Sequence, residues 1–170
     1  MNRWFPFGDK MQTHWRLTYS NVLTTIWRLW LPLSANEYDI DDFNNLLGDG
    51  SHLGIKINFL IQKEPNGIAE AFIISKNFIG NEQVCLILGD NIFYGCGLFE
   101  LLAAANARAT GATVFIHKVP DPERYSVIGL NGDGKITNIE EKPRSPKSNF
   151  AVTGLYYYDE HAPTYAKQLE

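Results

Sequence analysis

The chain is poor in several things, and each shortage narrows what it can be. Cys85 and Cys96 are its two cysteines in 170 residues, with no zinc-ligand partners at suitable spacing. A structural zinc site is thereby excluded, and both side chains read as reduced thiols of a cytoplasmic protein. No stretch approaches the roughly 20 apolar residues that span a bilayer, so no membrane partner is expected. Basic residues are outnumbered: a formal charge of −4 and a pI near 5.6 argue against a general binder of nucleic acid or anionic membranes. No G-x-G-x-x-G opens a helix, which removes a Rossmann-type dehydrogenase. Repeats and low-complexity tracts are also missing.

Hydrophobic residues make up 45% of the chain, enough for one core of ordinary domain size. That average hides a break. Trp4, Trp15, Trp27 and Trp30 and both methionines lie before residue 31. Residues 1–33 carry four basic side chains against Asp9 alone, a net +3, while residues 34–170 carry a net −7. Residues 17–33 are apolar but interrupted by arginine and tryptophan, with no clear period of 2 or 3.6. No small-residue cleavage site follows an apolar stretch, so this is not a signal peptide. An amphipathic surface helix is one reading. The favoured one is that residues 1–33 are foreign to the fold that follows, disordered or frameshift-derived.

From Ser34 the pattern becomes regular. Asp41 or Asp42 caps a short helix over 43–47, ended by Gly48. A turn through Gly48-Asp49-Gly50-Ser51 leads to a strand over 55–61, alternating Ile55, Ile57 and Phe59. Asn66 is placed to cap a helix whose apolar face is Ile68, Ala69, Phe72, Ile73 and Phe78, closed by Gly80. Residues 84–88 are five consecutive apolar residues, read as a central strand buried on both faces. An alanine-rich helix over 98–108 and a strand over 113–119 follow. This alternation of helix and strand predicts an α/β fold, a mostly parallel Rossmann-like sheet flanked by helices. Asn131-Gly132-Asp133-Gly134 signals a hairpin between strands at 127–130 and 135–140. A further strand covers 150–158, and a helix begins at His161.

Ligands of open α/β sheets bind beyond the carboxyl ends of the strands. Asp90 and Asn91 stand there, just past Gly89. A carboxylate at that edge suits a divalent metal, and a neighbouring amide suits a sugar hydroxyl or phosphate. Gly-Asp-Asn also suits an ordinary turn.

Several stretches carry a specific resemblance: L-L-G-D-G-S at 46–51, L-G-D-N-I-F-Y-G at 88–95, D-P-E-R-Y at 121–125, E-E-K-P at 140–143, and P-K-S-N-F-A-V-T-G-L-Y at 146–156. In this order they resemble the glucose-1-phosphate thymidylyltransferase family, over roughly residues 35–170. The resemblance implies a nucleotide-diphospho-sugar transferase type of fold, with residues 34–170 a partial nucleotidyltransferase domain. The family reaction joins dTTP and glucose 1-phosphate into dTDP-glucose and pyrophosphate, the entry to dTDP-rhamnose and related polysaccharide precursors. Its magnesium carboxylate falls on Asp90, which takes the catalytic, nucleotide-binding and metal roles with Mg²⁺ as cofactor. Pyrimidine recognition falls on Gln62 and Gly67. The sugar-phosphate set falls on Asn91, Tyr125, Glu141, Lys142, Val152 and Tyr156. Arg124 reads as a phosphate ligand or, more readily, one half of a surface ion pair. A homo-oligomer is implied, a tetramer in the family.

The departures are equally specific. The family's G-G-x-G-T-R-L loop and the lysine after it have no counterpart here, Gly8 being the only glycine before Gly48. The family's second metal carboxylate falls beyond residue 170. Ser126 stands where the family has glycine, and Cys96 where it commonly has histidine. The expectation is therefore a fold that is incomplete, truncated at both ends and lacking its first strand, with little or no activity. The rival reading is a non-catalytic remnant that binds nucleotide or sugar, or associates with an intact paralogue. Within the enzyme class, a uridylyl donor or another hexose 1-phosphate stays open, since thymine and uracil differ by one methyl.

Overall fold

The structure is a computed structural model, and it describes residues 30–35, 40–64, 66–89, 91–108 and 110–169. Residues 1–29, where most of the expected foreign segment falls, lie outside the described residues. The chain divides into two compact units. One comprises the described residues of 1–84, 92–109 and 159–170, the other 85–91 and 110–158.

In the first unit, strand β1 (Trp30–Ala35) pairs in parallel with β2 (Lys56–Ile61), Trp30 lying opposite Lys56 and Ala35 opposite Ile61. Parallel neighbours require a crossover. Here it contains α1 (Ile40–Leu47) and a 3-10 turn (Ser51–Leu53). Asp41 and Asp42 occupy the first turn of α1, where the helix dipole favours negative charge. A strand before residue 34 is not expected from the sequence, yet β1 begins at Trp30. Backbone pairing with β2 holds it, and a ladder of that kind leaves no periodicity to read.

Helix α2 (Ile68–Ile74) is followed directly by α3 (Lys76–Ile79), where one continuous helix is expected. The break is at Ser75, a buried polar side chain whose hydroxyl donates back to the Ala71 carbonyl. Such back-bonding competes with the helical ladder and bends it. The cap is Gly67, not Asn66, whose N–H donates to the Glu64 carbonyl at 2.9 Å. Helix α4 (Leu98–Asn106) buries Leu102 and Ala105. The short α5 (Ala162–Ala166) packs against α2 and buries Ala162 and Ala166.

The second unit is built on a five-stranded sheet. Its strands are β3 (Val84–Ile87), β4 (Ala112–Lys118), β5 (Ser126–Leu130), β6 (Ile136–Glu141) and β7 (Phe150–Tyr158). Their order is β3-β7-β5-β6, with β4 also paired to β7. The ladders β4–β7, β5–β6 and β5–β7 are antiparallel, whereas β1 and β2 of the first unit pair in parallel. Ile128 and Leu155 are fully buried, with Val127, Ala151 and Tyr157 nearly so. These side chains are the core of this unit. Strand β3 is half-buried throughout, and among the described residues its one strand neighbour is β7. The expectation of a central strand covered on both faces is corrected to that extent.

The β5–β6 hairpin forms as its turn residues predict. The Asn131 side-chain oxygen accepts from the N–H groups of Asp133 and Lys135, at 3.1 and 2.8 Å. Every residue of β6 is exposed, Ile136 and Ile139 included. Leu155→Ala is therefore expected to lower stability by about 2–5 kcal/mol. Ile136→Ala should change it by less than about 0.5 kcal/mol, both read from urea unfolding midpoints.

Candidate functional site

The loop after β3 is tied to β7 by backbone and side chain together. Leu88 N–H donates to the Gly154 carbonyl at 2.8 Å, and Asn91 N–H to the Leu88 carbonyl at 3.1 Å. Gly154 N–H in turn donates to Asn91 Oδ1 at 3.0 Å. The β4–β7 register skips here, from Val114 opposite Tyr156 to Ile116 opposite Val152. Val152 and Tyr156 lie two residues to either side of Gly154, and both are half-buried. Asp90 lies outside the described residues.

The adjoining ends of β5 and β6 supply the rest of the expected sugar-phosphate set. Ser126 pairs opposite Glu141, and its hydroxyl donates to the Glu141 carboxylate. Lys142 N–H donates to the Tyr125 carbonyl at 3.0 Å, and Lys142 Nζ stands 3.9 Å from Glu141 Oε1. Lys142 has φ 43°, the one non-glycine residue with positive φ among the described residues. The Tyr156 phenol is held above its ordinary pKa, first by burial and then by the negative charge of Glu141. Asn91, Tyr125, Glu141, Lys142, Val152 and Tyr156 thus all fall in one unit, drawn from separated parts of the chain. Arg124 pairs with Asp121 at 3.0 Å, the surface ion pair of the two readings.

The two pyrimidine-site candidates lie in the other unit and touch each other. Gln62 Nε2 donates to the Gly67 carbonyl at 3.2 Å and to Glu70 Oε2 at 2.7 Å. Gly67 has φ 94° and ψ −177°, a conformation open essentially to glycine alone. A Cβ built there meets open space, so its backbone geometry calls for glycine while the surroundings do not. Glu70 has no sequence signal beyond its place in the first turn of α2. Only the fold shows that it orients the Gln62 amide.

Cys85 of β3 is half-buried and Tyr157 of β7 is buried. Burial pushes the Cys85 thiol up to about 12 from 9.0 and raises the Tyr157 phenol as well. Cys96 is exposed, and neither cysteine is in a disulfide. Among the described residues no group of three or more His, Cys, Asp or Glu side chains is placed to hold a metal ion. No helix among them is long and apolar enough to cross a membrane.

Helices, an open sheet and a strand-end loop clipped to a neighbouring strand define an α/β protein of the nucleotide-diphospho-sugar transferase type. The chain belongs to the nucleotidyl transferase family, whose model matches residues 2–170. It is 52% identical over 140 residues to glucose-1-phosphate thymidylyltransferase of Neisseria meningitidis, covering 82% of this chain and 48% of that one. The enzyme of that name from Xanthomonas campestris pv. campestris is 50% identical over 128 residues, 75% of this chain and 43% of that one. The chain spans about half the length of the curated relatives it matches. A crystal structure from Bacillus anthracis, of a protein named for the same activity and in complex with a sucrose, superposes with a TM-score of 0.81. It is 32% identical, covering 98% of this chain and 65% of that one.

Two consequences are measurable. Gly67→Ala should cost about 1–3 kcal/mol of stability in urea unfolding, because alanine is strained at that φ and ψ. Alkaline pH should destabilise the fold through Cys85, Tyr156 and Tyr157. Their folded pKa values lie above the unfolded ones, so the native state holds these protons more tightly. Stability is then full below about pH 8 and falls as pH rises past the unfolded values of about 8.5–10. Cys85→Ala should flatten that fall between pH 8 and pH 10.5.

Proposed function

We propose that this chain serves nucleotidyl transfer from dTTP to glucose 1-phosphate, giving dTDP-glucose and pyrophosphate. The observation that carries the reading is that Asn91, Tyr125, Glu141, Lys142, Val152 and Tyr156 fall in one unit, where Asn91 is bonded to Gly154 between Val152 and Tyr156 and the Tyr156 phenol feels the Glu141 charge. Asn91 and Glu141 offer hydrogen bonds to sugar hydroxyls, and the Lys142 ammonium offers charge to the sugar phosphate. Tyr125, Tyr156 and Val152 supply the walls. Gln62, held by Glu70, presents its amide to the edge of the pyrimidine, and open space at Gly67 leaves room for the base.

In such a transfer a phosphate oxygen of glucose 1-phosphate attacks the α-phosphorus of dTTP and pyrophosphate leaves. The protein's contribution is orientation and placed charge rather than covalent chemistry. Mg²⁺ is usually held by one or two carboxylates plus substrate phosphate oxygens rather than by an all-protein cage. Asp90, a single carboxylate just past the apolar run 84–88 in the sequence, suits that donor pattern. When bound, the ion neutralises phosphate charge. The reading includes a cytoplasmic setting, homo-oligomeric assembly, and no nucleic-acid or membrane partner.

The test is titration of the chain with glucose 1-phosphate, followed by calorimetry, beside an assay for pyrophosphate released from dTTP. Saturable binding that Glu141→Gln weakens about tenfold or more is expected, since a hydrogen bond to a charged group is worth about 1.5–3 kcal/mol. Pyrophosphate release should require both glucose 1-phosphate and Mg²⁺, and should be slow without the family's glycine-rich loop. Absence of glucose 1-phosphate binding overturns the proposal. Lys142→Gly should raise stability by about 1–2 kcal/mol by relieving the left-handed backbone, while weakening binding of glucose 1-phosphate.

A further inference from the structure

Gly154 meets the loop after β3 on three counts. Its carbonyl accepts from Leu88 N–H at 2.8 Å, and its N–H donates to Asn91 Oδ1 at 3.0 Å. A Cβ built on it would stand 2.6 Å from Asn91 Nδ2, 2.7 Å from Asn91 Cγ and 2.8 Å from Leu88 Cβ. Contacts under 3.0 Å force a neighbour to shift, and two of these atoms belong to the amide itself. Gly154 φ is not in the left-handed region, so backbone conformation does not account for glycine here. What the position excludes is a side chain.

We propose that Gly154 is a positioning residue for the sugar-phosphate site, a flat seat that fixes the Asn91 side-chain amide. With Oδ1 engaged by Gly154 N–H, the orientation of the amide is set and Nδ2 is defined as its donor end. Asn91 then presents a donor, not an acceptor, to a sugar hydroxyl. Any side chain at 154 lifts the amide off the strand and turns that donor away. The inference rests on the proposed role of Asn91 toward glucose 1-phosphate and goes beyond it, because Gly154 touches no substrate and acts only through Asn91.

The experiment compares the full chain with Gly154→Ala, Asn91→Ala and the double variant. Each is titrated with glucose 1-phosphate and, separately, with dTTP, with circular dichroism to confirm folding. Gly154→Ala should bind glucose 1-phosphate about tenfold more weakly and dTTP as before, and the double variant should be no worse than the weaker single one. Unchanged glucose 1-phosphate binding in Gly154→Ala, or losses that multiply in the double variant, overturns the inference. Should the unsubstituted chain bind no glucose 1-phosphate, the proposed function fails. The seat is then judged by the Asn91 side-chain amide resonances in Gly154→Ala. A shift in them supports it, and no shift overturns it. If Gly154→Ala does not fold, Asn91→Ala decides: faster hydrogen exchange at Gly154 N–H supports the seat, and unchanged exchange overturns it.

Discussion

Gly154 gives both backbone groups to the segment that follows β3, carrying the pairing of β3 with β7 past Ile87 to Asn91, and the proposed placement of the Asn91 amide depends on it. Strand β7 reaches β4 at both ends but skips the residues between Val152 and Tyr156. Each bond that Gly154 makes to that segment contributes only about 0.5–1.5 kcal/mol net. Their value is geometric, since they hold a strand-end loop against the strand that carries Val152 and Tyr156. The larger stabilising term is the burial of Ile128 and Leu155, which keeps β5 and β7 together.

Around Glu141 the same division holds between energy and placement. Its carboxylate is exposed, and its pair with Lys142 spans 3.9 Å on a wet surface. A pair of that kind adds little stability. It nonetheless sits where the Ser126 hydroxyl reaches it and where its charge is felt by the Tyr156 phenol. Lys142 is held at φ 43° with its N–H on the Tyr125 carbonyl. A strained backbone of this sort persists when its surroundings determine it, as they do at many binding sites.

Where a feature depends on neighbours a few residues away, the sequence was readable. The β5–β6 hairpin follows from Asn131 accepting from Asp133 and Lys135. The turn in L-L-G-D-G-S follows from Asp49 accepting from Ser51 N–H, which also keeps the Asp49 carboxyl below its usual range. Strand β7 matches its expected span of 150–158. Where the partner is distant, reading failed. Nothing local marks β1, whose hold on the fold is a ladder to β2. The break at Ser75 depends on burial, and the half-covered state of β3 on which strands stand beside it.

The sequence by itself determined the alternation of helix and strand, the turn chemistry, and the motifs that place the chain in its family. Those are matters of residue type at short spacing, settled by sterics and by hydrogen bonds that close within a few residues. Tertiary structure alone decided that Asn91 rests on Gly154, 63 residues away, and that Gln62 leans on Glu70. The first choice follows from the register of β7 against β3 and the residues after it, the second from how β2 is led into α2. A register is a relation between strands, and no residue within one strand records it.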